Sequence, residues 1–126
     1  MKYLLAVLIF ILMAAPTYAQ GIAEKHFRAA AEQGDADFQL YLGMGYLRGT
    51  FDSPGGADYD VEGIKWIRKA AKQGHARAQF RLGNEYESGQ NIQQDYAEAE
   101  KWHRKAAKQG DTDAQERLRK LNAANH

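Results

Sequence analysis

Apolar and small residues recur through most of this chain at three- and four-residue intervals, as in Ile64, Ile67, Ala70 and Ala71, or Ala99, Trp102 and Ala106. That is the spacing of one helix face, not the alternation of a half-buried strand. Gly34, Gly74 and Gly110 each stand where such a run should stop, since glycine reaches the left-handed conformation that closes a last turn. Asp35 and Asp111 follow and can accept from the free amides of the next helix, while His75 in the same place is a poorer cap. The pattern predicts a lone helix over 22–33, helix pairs over 36–73 and 76–109, and a final helix over 111–121.

The first residues follow another pattern. MKYLLAVLIFILMAAPTYAQ has an early lysine, an apolar run from Leu4 to Ala15 and a small-residue exit at Thr17-Tyr18-Ala19. This is the make-up of a secretory signal peptide over 1–19, cleaved near Ala19-Gln20. The apolar run is shorter than the roughly 20 residues of a membrane span, and no cysteine follows to accept a lipid. The expectation is a periplasmic or secreted protein with no stable membrane insertion after cleavage.

The predicted helices repeat. KAAKQG occurs at 69–74 and again at 105–110, AAAEQG stands at 29–34, and the closing glycines lie 40 and 36 residues apart. After them come Phe38-Gln39-Leu40-Tyr41-Leu42-Gly43 and Ala78-Gln79-Phe80-Arg81-Leu82-Gly83, then the more polar Ala114-Gln115-Glu116-Arg117-Leu118-Arg119. Lys65-Trp66 answers Lys101-Trp102. One helix pair cannot cover its own apolar face, and stacking similar pairs makes a continuous core in which each unit touches its neighbours. Gly43 and Gly83, unfavourable inside helices by about 1 kcal/mol each, imply close backbone approach. Ala70, Ala71, Ala106 and Ala107 are expected to face them.

Composition narrows the function. Seventeen lysines and arginines stand against 16 acids, so there is no basic excess with which to hold nucleic acid. Cysteine is absent, so packing alone must hold an exported fold.

The residues Ala78-Gln79-Phe80, Leu82-Gly83, Tyr86, Gly89, Asp95-Tyr96, Ala99, Lys101-Trp102 and Lys105 to Gly110 resemble the signature of Sel1-like repeats, relatives of tetratricopeptide repeats. Phe38 to Gly43, Tyr46, Gly49, Asp58-Tyr59 and Lys65 to Gly74 carry it again. The resemblance implies an all-α fold, a right-handed α-solenoid of Sel1-like helix pairs with about six helices after the leader, and the expected state is a monomer. In family phase, Arg119 and Asn122 replace Gly83 and Tyr86, which suits a solvated C-terminal capping helix.

Catalytic chemistry has few candidates. Ser53 and Ser88 lie in no strand-turn-helix elbow. His26, His75, His103 and His126 form no i, i+4 pair of zinc ligands. The longer connection before Trp66, with Asp52, Asp58, Asp60 and Glu62, puts proline, glycine and alanine where a calcium loop needs oxygen ligands. Trp66, Trp102, Tyr46 and Tyr86 recur at equivalent places, which marks them as core. Arg68, Lys69, Lys72, Arg104, Lys105 and Lys108 read as a solvated helix side. No catalytic residue, metal or cofactor is expected.

The resemblance implies a curved groove that binds a protein or peptide. It directs Arg77, Asn84, Glu87 and Ser88 of one helix into that groove, with Asp37, Met44, Leu47 and Arg48 as the equivalent set. The implied function is a non-enzymatic interaction module or adaptor. The narrower alternative is a periplasmic immunity protein neutralising a secreted toxin such as a type VI lipase effector. Cysteine-rich relatives associated with β-lactam hydrolysis suggest an enzyme, yet they pair cysteines that this chain lacks.

Overall fold

The computed structural model describes residues 2–52, 55 and 58–124. Ser53 and His126, and the Pro54, Gly56 and Ala57 stretch of the long connection, lie outside these residues. The described chain forms six α-helices: α1 Lys2–Glu32, α2 Ala36–Leu47, α3 Tyr59–Lys72, α4 Ala76–Ser88, α5 Tyr96–Lys108 and α6 Thr112–Ala124. They stack in chain order as an α-solenoid, with α2 packed on α3 and α4 on α5 as the two hairpins. Two boundaries differ from expectation. The N-terminal helix begins at Lys2 and not near 22, and Asp58 caps α3 so that residues 59–62 of the predicted long connection are its first turn.

The repeated phrase closes α1, α3 and α5 in the same way. Gly34, Gly74 and Gly110 take φ of 98°, 94° and 93°. Their amides donate to the carbonyls of Ala31, Ala71 and Ala107, and the following residues, Asp35, His75 and Asp111, donate to Ala30, Ala70 and Ala106. Those paired bonds satisfy carbonyls that a helix end leaves free.

The glutamines link the units. Gln39 Nε2 donates to Ala31 O at 3.0 Å, Gln79 to Ala71 O at 3.1 Å and Gln115 to Ala107 O at 3.1 Å. The glutamine of each phrase then reaches across its own helix pair, Gln73 to Gln39 Oε1 at 2.7 Å and Gln109 to Gln79 Oε1 at 2.8 Å. Gln39 and Gln79 are buried, so each amide needs these partners to offset its desolvation. The result is a side-chain relay running along the stack.

A second tie recurs beside it. Arg28 donates to Tyr46 Oη, and Arg68 to Tyr86 Oη at 3.0 Å. Tyr46 also donates to Glu24 at 2.9 Å, and burial together with that bond raises the phenol pKa above its ordinary value. Arg68 is therefore a packing residue, a correction to its assignment to the solvated side. The neighbouring lysines are exposed, yet Lys69 and Lys105 lie 4.5 and 4.8 Å from the ring centres of Trp66 and Trp102, shielding the indoles while their ammonium groups stay wet.

One cluster of the core joins Leu40, Ile67, Ala70, Ala71, Ala78, Leu82 and Trp102; the other joins Ala31, Leu42, Tyr46, Phe51 and Trp66. Within the hairpins, backbones approach at glycine. A Cβ on Gly43 would lie 2.7 Å from Gly63 O and from Ile67 Cγ1, and one on Gly83 would lie 2.6 Å from the His103 ring. The opposing groups are thus Gly63, Ile67 and His103, where the alanine pairs had been expected.

Gly43→Ala is expected to destabilise the fold by about 1–3 kcal/mol through overpacking, because the obstructing Gly63 carbonyl and Ile67 amide are backbone. Gly21→Ala, with open space around it, should be neutral or slightly stabilising. Urea unfolding of both variants checks the contrast.

Candidate functional site

The eight predicted groove residues fall on α2, α4 and the caps that follow them, but the structure uses most of them internally. Asp37 is 72% exposed at its side chain and sits 2.7 Å from His75 Nε2. The other nitrogen of His75, Nδ1, accepts from Ala78 N at 3.1 Å as the cap of α4, so Nε2 carries the proton and donates to Asp37. His75 therefore serves as a bridging cap between units, which its sequence position alone disguised.

Met44 and Leu47 are half-buried against the first core cluster, and Leu47 covers Gly63. Arg48 is exposed just beyond α2. On α4, Arg77 donates to Asp113 at 2.5 Å, lies 3.6 Å from Asp111 and stacks 4.8 Å from the Phe80 ring centre. The bond to Asp113 raises the guanidinium pKa above its ordinary value. Asn84 is half-buried, and Ser88 is exposed with its hydroxyl donating to Glu85 O at 3.3 Å. Asp37, Arg48, Arg77 and Ser88 are the exposed members of the predicted set, and Asn84 is half-buried.

Glu87 behaves differently. Its side chain is 14% exposed and holds Arg117 of α6, whose Nε donates to Oε2 at 2.8 Å. The same Oε2 lies 3.4 Å from His103 Nε2. His103 is wholly buried, neither ring nitrogen has a hydrogen-bond partner, and burial lowers its pKa below the ordinary histidine value. Tyr96, Ala99, Glu100 and Leu121 join Glu87 around a cleft of about 300 Å³.

Superposing the repeats by their own register shows what is unusual here. The first hairpin has Leu47, Ile64 and Ile67 where the second has Glu87, Glu100 and His103. His103 thus stands at the aliphatic position of Ile67, and the ionisable residues replacing aliphatic ones are the signal the sequence carries. Among the described residues, no three His, Cys, Asp or Glu side chains gather as a metal site.

The family model described as Sel1 repeat matches residues 20–35, 36–75 and 76–111. Among solved structures, the chain is similar to a Sel1 repeat protein from Oxalobacter formigenes, with 35% identity and a TM-score of 0.66 over 75% of this chain and 68% of that one. It is also similar to a protective antigen present in uropathogenic Escherichia coli strains, described as displaying an SLR fold, with 36% identity and a TM-score of 0.67 over 75% of this chain and 20% of that one. An F-box protein of Arabidopsis thaliana is 38% identical over 56 residues, covering 44% of this chain and 14% of that protein.

His75→Ala should cost about 1 kcal/mol through loss of the α4 cap, whereas His75→Asn, which can still accept from the helix amides, should retain most of that stability. Urea unfolding at pH 7.5 distinguishes the two.

Proposed function

The chain belongs to the Sel1 repeat family, and on that premise we propose that it is an exported, non-enzymatic module that binds another protein through the exposed edge of α2 and α4. Proteins built from these repeats generally mediate protein–protein interaction. The observation that carries the proposal is the repeat match itself, spanning residues 20–111.

The exposed members of the predicted set are polar: Asp37, Arg48, Arg77 and Ser88 suit a partner that is recognised by hydrogen bonds and charge, since the apolar Met44 and Leu47 are already half covered. Export is supported by the leader-like sequence over 1–19, and no helix among the described residues is long and apolar enough to cross a membrane.

The full chain with a C-terminal tag, expressed in a Gram-negative host, is expected to yield a periplasmic product whose intact mass begins at Gln20; recovery of the chain in the cytoplasm with Met1 retained would remove export from the proposal. Capture of a protein by this product should weaken at least tenfold in Arg48→Glu/Ser88→Arg, at unchanged thermal stability. Equal capture by both forms would show that the edge of α2 and α4 is not the binding face.

A further inference from the structure

We propose that His103, Glu87 and Arg117 form an acid-released latch on α6: when His103 takes up a proton from solvent, its Nε2–H competes with Arg117 for the Glu87 carboxylate and the helix loosens. This goes beyond partner binding and does not depend on it.

The docking of α6 is thin. Ala114 is the residue it buries fully, and its polar ties are Gln115 to Ala107 O, Asp113 to Arg77, and Arg117 to Glu87. Of these, the Arg117–Glu87 pair is held in the least exposed setting, at a carboxylate that is 14% exposed. A charge-assisted bond in such surroundings is worth more than an exposed pair.

The imidazole is placed to disturb it. From α4, Phe80 lies 5.5 Å from the His103 ring centre, Gly83 leaves the space the ring fills, and Glu87 Oε2 is 3.4 Å from Nε2. From α6, Arg117 shares that carboxylate. From the turn between α5 and α6, Asp111 adds negative potential but is itself 3.6 Å from Arg77. On α5, Glu100 and Arg104 are bonded to each other at 2.9 Å. A proton on His103 thus puts two cations on one carboxylate, and repulsion between them is poorly screened in the interior. A cleft of about 300 Å³ opens beside Glu87, the shared carboxylate.

The sign follows from burial. In the docked state the pKa of His103 is lowered, first by desolvation, while an imidazole reached by water titrates near 6.5. The loosened state binds more protons below that pH, so docking is at full strength above about pH 6.5, weakens as pH falls, and levels off below the lowered pKa. The first hairpin is an internal control, since Leu47 and Ile67 occupy the same positions without charge.

Hydrogen exchange of the full chain, read by segment between pH 5 and 7.5 and converted to opening constants, tests the latch. In the wild type the α6 constant should rise by up to about tenfold per pH unit below 6.5, with the interiors of α4 and α5 unchanged. His103→Ile, which copies Ile67 and keeps His26 and His75, should flatten this response. Glu87→Gln should raise α6 opening about tenfold at pH 7.5. An acid response that persists in His103→Ile, or one shared equally by α2 to α5, overturns the proposal. Should His103→Ile not fold, unchanged α6 opening in Glu87→Gln overturns it alone.

Discussion

The stack depends on buried amides finding partners across unit boundaries. Gln39 and Gln79 each donate to a carbonyl at the end of the preceding unit and accept from the glutamine that closes their own helix pair. Apolar side chains alone would let one pair slide over the next at little cost, because burial is non-directional. A buried carboxamide has no such freedom, since displacement strands a donor, an acceptor and a backbone carbonyl together. The relay fixes alignment, and the aliphatic core supplies most of the cohesion.

Inside the hairpins the constraint is steric. Gly43 meets Gly63 and Ile67, whereas Gly83 meets His103, so one backbone geometry is filled by two chemistries. The first solution is apolar and indifferent to pH. The second brings a neutral imidazole, a carboxylate and a guanidinium into one chain of contacts that joins three helices. The connections dock differently too: Phe51 covers Gly45 in one hairpin, while Asn91 donates to Glu85 at 2.7 Å in the other.

Helix type, the glycine stops and the pairing of units were legible because the phrase ending at Gly34, Gly74 and Gly110 is local, and each copy encodes its own turn. The aspartate caps were legible for the same reason, being bonds between residues two or three apart. The roles of Gln73, Arg68 and His103 were not, because their partners lie 34, 18 and 16 residues away and depend on how pairs stack. Periodicity sets the expected groove residues on α2, on α4 and just beyond α2. Which of them would be consumed by internal bonds, as Arg77 and Glu87 are, required the positions of Asp113 and Arg117 on a helix that sequence marked only as a cap. The leader-like segment is itself helical and runs into the first helix without a break, so the change in composition near Gln20 is not a boundary of backbone structure.

The glycine turns and the glutamine relay lie along one margin of the slab, and the connection from α2 to α3 lies along the other, at the far ends of the same helices. The four extra residues of the first unit, 40 against 36, fall between α2 and α3 and not at the glycine turns. Such a layout lets the chain change its outline on one flank by simple lengthening while the spacing of its layers is conserved.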